Sequence, residues 1–414
     1  MRLMAEKKAD TQADADRPDR GEPITLMEPL LIPEGARQRG ALVDRALTLA
    51  QKAASLRSAL PASLLAALAT LVRSMNCYYS NLIEGHDTHP IDIERALQQD
   101  YSADPHQRDL QLEAQAHIAV QRWIDQGGLQ GRALTIEGLR EIHRRFCEQL
   151  PDDLLWVKTR KGGAPERVIP GAWRTRDVEV GRHVAISAGA IPRFLNRFES
   201  AYGNLGPTNA ILAAACAHHR LLWVHPFTDG NGRVARLMSH ATLLETLDTG
   251  AVWSVARGLA RNAETYKRHL AACDQPRRND LDGRGHLSQE ALADFTAFFL
   301  DVCIDQVDFM EGLIQPEQLR TRIQSWTEDA IRQGTLPARA DALLGALLYR
   351  GTLPRREVPA ILGVSERQAR RVLSALTSEG VITAETTRAP LQLAFPARLA
   401  SRWMPGLFPE QAAR

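Results

Sequence analysis

One stretch limits what this chain can become more than any other: His225–Arg236, which reads HPFTDGNGRVAR. It holds a histidine, a carboxylate, two glycines flanking an asparagine, and two arginines. Before it, Asn209–Val224 carries apolar residues at helical spacing. After it, Val234, Leu237, Met238 and Leu244 recur at helical intervals. The segment therefore reads as a tight loop between two helices, with Asp229-Gly230 as the turn signal. The expectation is a mainly α fold built around this loop.

These residue types in this order suit a nucleotide phosphate. Gly230 and Gly232 lack a Cβ, so backbone N–H groups can approach an anion closely. The helix starting near Arg233 aims free N–H groups and a positive dipole end at the same spot. Arg233 and Arg236 are three apart and share a helix face, and guanidinium groups there can grip phosphate oxygens in a forked geometry. Asp229 suits Mg²⁺, which usually takes one or two carboxylates and completes its shell with phosphate oxygens and water. His225 titrates near neutrality and suits a general base. Asn231 offers an amide to orient a phosphate oxygen. Any one of these residues alone would read as an ordinary cap, turn or solvated face. Their concentration in one loop favours function.

The segment matches the signature HxFx[DE]GNGRxxR at every specified position and so resembles the Fic family. That resemblance implies a Fic-type helical core with a β-hairpin flap. It also implies transfer of AMP from ATP to a Ser, Thr or Tyr hydroxyl of a target protein. By resemblance, His225 is the catalytic base and Asp229 the Mg²⁺ ligand. Gly230, Asn231 and Gly232 then form the anion hole, Arg233 binds the nearer phosphates, and Arg236 binds the γ-phosphate.

Upstream, Ala62–Glu84 reads as a helix. Pro61 precedes its first turn, a stripe runs from Leu64 to Met75, and Gly85 closes it. Its end, Ser80-Asn81-Leu82-Ile83-Glu84-Gly85, resembles the family's inhibitory motif [ST]xxxE[GN]. The implied roles are that Ser80, Glu84 and Gly85 form a self-inhibitory element and that Glu84 pairs with Arg236. One carboxylate then competes with one phosphate for one guanidinium. An alternative within the same chemistry is AMP removal, with Glu84 directing a water.

Composition bounds the rest. The chain has 414 residues, enough for two or three domains, and 44% apolar with 24% charged residues is ordinary for a globular protein. Five cysteines lie scattered without a C-x-x-C pair, which indicates neither a zinc site nor a disulfide framework. No signal-peptide core or membrane-length apolar run is present, and a cytoplasmic location with no membrane partner is the default expectation.

In chain order, residues 1–23 are polar and expected to be disordered. Residues 24–314 form the Fic-like domain, with its inhibitory helix at 62–85. Within it, helical patterns start near Ile91 and span Leu110–Trp123, and Thr135 caps a third that carries Ile136, Leu139, Ile142 and Phe146. His143, beside that face, reads as a packed histidine. Trp173–Val180 looks extended, with a turn at Gly181, and resembles the flap that clamps a target segment by strand addition. Ile191–Tyr202 is amphipathic, and Ser288 caps a helix through about Leu313. The sequence leaves open whether Tyr266 faces a nucleotide base.

Residues 315–334 read as a helical connector. Residues 335–400 resemble a winged helix-turn-helix: helices at Ala342–Tyr349 and around Val358–Leu362, a capping box at Ser365–Gln368 opening a third helix, then two short strands around Arg388-Ala389-Pro390. Residues 401–414 are expected to be a tail. Ile331–Arg414 holds 12 arginines, no lysine and 6 acids, against a whole-chain net charge of +2. Arg367, Arg370 and Arg371 lie near one face of the third helix and are candidate DNA contacts. Two uses of this domain stand open. One is double-stranded DNA binding, in which the chain is a regulator with a Fic-like sensor part. The other is protein docking, including a homodimer.

Overall fold

The structure, a computed structural model, describes residues 18–157 and 164–409. Its early helices are α1 (Arg39–Ser58), α2 (Ala62–Glu84), α3 (Pro90–Leu97), α4 (Pro105–Asp125) and α5 (Ile136–Cys147). Local chemistry sets their ends. Asp104 and Thr135 accept N-cap bonds from Gln107 and Gly138, and Gly85 closes α2 in the left-handed conformation. Two small hairpins follow: β1 (Trp156–Val157) with β2 (Glu166–Arg167), and β3 (Glu179–Val180) with β4 (His183–Val184).

The centre is an antiparallel pair. Helix α6 (Ile191–Tyr202) leads to α7 (Pro207–Val224), which packs along α8 (Asn231–Leu247). Both helices are enclosed on nearly every side, so Ala213–Ala217 and Val234–Met238 are buried, and polar side chains such as His218, Arg220 and Arg236 are buried with them. Helices α9 (Val255–Arg261), α10 (Ala263–Cys273) and α11 (Gln289–Ile314) wrap this pair, with α1 running along α11. Ser288 caps α11 by accepting from Ala291. All five cysteines are buried free thiols. Among the described residues, no single helix is long and apolar enough to cross a membrane.

The C-terminal part contains α12 (Pro316–Arg332), α13 (Ala340–Arg350), β5 (Thr352–Leu353), α14 (Val358–Leu362), α15 (Glu366–Ser378), β6 (Ile382–Thr383), β7 (Leu391–Leu393) and α16 (Ala400–Trp403). Its strands form one antiparallel sheet ordered β5-β7-β6. The capping box of Ser365 and Gln368 opens α15. Sequence patterning missed β5, which is only two residues long and takes its place through Leu353 pairing with Leu391.

Three expectations need correction. Residues 18–23, within the stretch expected to be disordered, hold fixed contacts: Glu22 accepts from Ser187, and Asp19 pairs with Arg193 at 2.9 Å. Residues 1–17 lie outside the described part. Residues 401–409 are not a loose tail, because Trp403, Met404 and Leu407 are buried. Apolar side chains there return the chain to the core, and Phe408 meets Tyr78 of α2 edge-on at 6.0 Å. Residues 410–414 lie outside the described part. Finally, the extended run expected over Trp173–Val180 is paired only at Glu179–Val180. Trp173 and Arg174 turn inward instead, since the Arg174 guanidinium finds four backbone carbonyls there.

Candidate active site

The loop between α7 and α8 is held from several sides. His225 ends α7 in the left-handed conformation, at φ +49°. Arg174, buried, locks that turn: its Nε donates to the His225 carbonyl at 2.8 Å and its Nη2 to the Ile186 carbonyl at 2.6 Å. Its own N–H donates to the Pro226 carbonyl. Phe227 is buried beneath the loop, stacked on the His143 ring at 4.0 Å. His143 is the packed residue its position indicated, accepting from the Gly171 N–H at 2.9 Å. Gly230 takes φ +79°, a conformation that disfavours any Cβ.

The Asn231 amide does not point at an anion. Its Nδ2 donates to the Phe227 carbonyl at 2.8 Å and its Oδ1 accepts from the Phe227 N–H at 3.0 Å. Both amide atoms thus brace the loop, and the expected role for that side chain is corrected. What Asn231 still brings to an anion is its backbone N–H in the first turn of α8, where N–H groups lack carbonyls four residues back. That turn carries no acidic residue.

The His225 Nδ1 is buried without a hydrogen-bond partner. Burial, seconded by the Arg174 charge, pushes the imidazole down to about 4. It is therefore neutral at physiological pH, the state a proton acceptor needs. Asp229 is exposed at the mouth of the loop, with Oδ2 3.4 Å from Arg233. Among the described residues, no three His, Cys, Asp or Glu gather as a metal cluster. A hard cation completed by phosphate and water needs only one or two carboxylates, so Asp229 alone fits Mg²⁺.

Arg233 is buried over the Phe146 ring at 4.6 Å, and its Nε and Nη1 have no hydrogen-bond acceptor. Its charge is balanced at longer range by Asp229 and by Glu113 of α4, at 3.4 Å. Arg236, also buried, is engaged: Nε donates to Ser80 Oγ at 2.8 Å, and Nη2 to Glu84 Oε1 at 2.5 Å. Burial pushes the Glu84 carboxyl up, but the Arg236 guanidinium outweighs it and holds the group below its ordinary range. Gly232 makes this approach geometrically open, because a Cβ there would stand 2.3 Å from Glu84 Oε1. Gly85, at φ +90°, turns the chain immediately after Glu84.

Tyr266 lies within the core, with its hydroxyl 2.6 Å from His218 Nε2. The β3–β4 hairpin is tied to α7 where His183 Nε2 meets the Trp223 carbonyl at 2.7 Å, leaving Val180 and Val184 exposed. Arg367, Arg370 and Arg371 are exposed on α15, far along the chain from the loop, and Arg370 pairs with Glu366 at 3.3 Å. Motif reading missed Arg174, Glu113 and His86, none of which sits in a distinctive local pattern.

Residues 133–243 match the Fic/DOC family. The chain is 29% identical over 171 residues to "Protein adenylyltransferase Fic" of Nematostella vectensis, covering 40% of this chain and 36% of that protein. It is 29% identical over 172 residues to the protein of the same name from Drosophila willistoni, covering 40% and 31%. The match thus spans about a third of the length of these curated relatives. Among solved structures, a Fic family protein from Desulfovibrio desulfuricans G20 aligns at TM-score 0.49 and 18% identity, covering 84% of this chain and 96% of that one.

Proposed function

We propose that this chain, which carries a Fic/DOC domain, moves AMP from ATP to a hydroxyl side chain of another protein and holds itself in check through Glu84. The observation that carries this reading is the pairing of two arginines on one helix turn. Arg233 keeps two buried donors without an acceptor, while Arg236 is covered by a carboxylate.

In the proposed reaction the target hydroxyl oxygen attacks the α-phosphorus. A new phosphorus–oxygen bond forms, the bond to the bridging oxygen breaks, and pyrophosphate leaves. The neutral His225 imidazole takes the hydroxyl proton, a contribution of roughly 10²–10⁴-fold. Arg233 and the first-turn N–H groups of α8 hold the nearer phosphates, and Gly230 and Gly232 let the backbone come close. Mg²⁺, held by Asp229, supplies charge neutralisation on the phosphates. Arg236 takes the γ-phosphate once Glu84 has withdrawn. The exposed β3–β4 edge presents the target segment by main-chain pairing.

The test is labelling with ATP carrying a radioactive α-phosphate. Wild type labels itself or a lysate protein weakly, Glu84→Gly labels strongly, and His225→Ala does not label. Equal labelling by wild type and Glu84→Gly removes the self-inhibition. Labelling that survives His225→Ala removes the proposed base.

Two further readings each have an observation behind them. The Glu84 side chain stays 35% exposed beside the arginines, so water reaches it, which favours AMP removal as a companion activity. Release of AMP from a modified target, dependent on Glu84, distinguishes that case. The exposed arginines of α15 favour duplex DNA as a partner of the C-terminal part.

A further inference from the structure

Glu113 belongs to no part of the signature or the inhibitory motif, yet it stands between Arg233 of the signature and His86, the residue that follows the motif. It lies on α4, with its side chain only 14% exposed. One oxygen, Oε2, stands 3.4 Å from Arg233 Nη1 and 2.9 Å from His86 Nδ1. His86 is the residue after Gly85. Its N–H closes the end of α2 by donating to the Asn81 carbonyl at 2.9 Å, and the Gly85 N–H donates to the Leu82 carbonyl at 3.1 Å.

The charges explain why this arrangement holds. Five groups meet here: Glu84, Glu113, His86, Arg233 and Arg236. Glu84 and Glu113 repel one another, so neither would sit beside the arginine pair without its own partner. Burial pushes the Glu113 carboxyl up, but His86 and then Arg233 outweigh it and hold it below its ordinary range. The same contact pulls the His86 imidazole above its ordinary value. A ring N–H donating to an ionised, largely buried carboxylate makes a charge-assisted hydrogen bond, among the stronger ones in a protein.

We propose that Glu113 is a positioning residue for the inhibitory contact. Through His86 it fastens the last turn of the inhibitory helix to the signature helix, and Glu84 stays on Arg236 because that turn cannot move away. The fastening is separate from the Glu84–Arg236 pair. Breaking it frees the turn while leaving Glu84 and both arginines chemically intact. Only the activity readout rests on the nucleotide-transfer reading.

The test uses the full-length chain with His86→Ala, which removes the donor, and His86→Asn, which keeps a side-chain N–H near the Nδ1 position. The first readout is hydrogen exchange of the amides of residues 81–86, which needs no nucleotide. His86→Ala exchanges roughly tenfold faster there, and His86→Asn restores most of the protection. The second readout is ATP labelling. His86→Ala raises it roughly tenfold in the Glu84-bearing chain and leaves it unchanged in the Glu84→Gly background. Unchanged exchange in His86→Ala overturns the proposal, as does a His86→Asn that exchanges as fast as His86→Ala. An equal rise in labelling with and without Glu84 also overturns it. If Glu84→Gly itself never labels, the transfer reading fails and the exchange readout still decides the fastening.

Discussion

Glu84 Oε1 lies 2.5 Å from Arg236 Nη2, although 152 residues separate the two in sequence. The contact joins the last turn of α2 to the face of α8 that also carries Arg233. Gly232 stands beside them with no side chain, and under the proposed reaction the space that this leaves would be shared by the carboxylate and by a phosphate bound to the arginines.

Gly232→Ala tests that shared space. The new Cβ would press on both Glu84 Oε1, at 2.3 Å, and Arg236 Nη1, at 3.1 Å. Removing Glu84 as well does not clear the site for a phosphate. The double variant Glu84→Gly, Gly232→Ala is expected to label at least about tenfold less than Glu84→Gly. Alanine is the better helix former and, with Glu84 gone, meets only the flexible end of Arg236, so the double variant should melt no lower than Glu84→Gly. Undiminished labelling would remove the shared-space argument.

Arg174→Ala tests how His225, the proposed base, is held. It strips four backbone carbonyls of a buried donor, one of them that of His225. The expected cost is at least about 3 kcal/mol in denaturant unfolding, since buried acceptors are left unpaired. In folded protein at low temperature, kcat should fall roughly a hundredfold in the Glu84→Gly background, because a misplaced base loses its alignment. Arg174→Lys keeps the charge without the fork and should recover only part of either loss.

The buried histidines set a pH dependence. Burial pushes His117 and His218 down to about 3, and His143, His219 and His225 down to about 4. Each is neutral in the folded state, while the unfolded chain takes up protons below about 6.5. Stability from these groups is therefore fully present above pH 6.5 and is lost as pH falls toward 4 for His143, His219 and His225 and toward 3 for His117 and His218. At pH 5 each contributes a loss of about 1–2 kcal/mol relative to pH 7, measured by urea unfolding at both values. For His225 the same shift places the acid limb of kcat/KM near pH 4. A limb at 6.5 would contradict the burial argument.

The C-terminal segment is tested by Trp403→Ala. Trp403 is buried against Trp326 at 5.2 Å and Phe395 at 5.8 Å, and its carbonyl accepts from Arg322 Nε at 2.7 Å. Truncation should cost about 3–5 kcal/mol. A change under about 1 kcal/mol would mean that residues 401–409 do behave as a tail.

The proposed contact of the exposed face of α15 with duplex DNA is tested by Arg367→Ala with Arg371→Ala in a gel shift on duplex DNA from upstream of the chain's own gene. The double variant should weaken binding and reduce the salt slope by about two. Binding that is unaltered would move the contact to another face.

Much of this arrangement was readable before any coordinates, because the signals were local. Thr135, Ser288 and Ser365 mark helix starts through their own side chains, and Gly85 marks an end through its backbone. The signature loop was legible because its chemistry lies within a few residues. Contacts made at long range were not. Nothing around Arg174 or Glu113 distinguishes them from surface charges, since their partners lie on other elements. The Asn231 amide looked free because its partner, the Phe227 backbone, comes to it only through the loop's geometry. Trp403, Met404 and Leu407 follow a domain that already looked complete, so their burial showed only in three dimensions.

The central claim is that this pocket seats a triphosphate and that Glu84 competes for its second arginine. Calorimetric titration of ATP with Mg²⁺ into wild type and Glu84→Gly tests it most directly. The account predicts heat of binding for both, with at least roughly tenfold tighter affinity once Glu84 is gone. Equal affinities would contradict the competition, and no uptake by either protein would contradict the site itself.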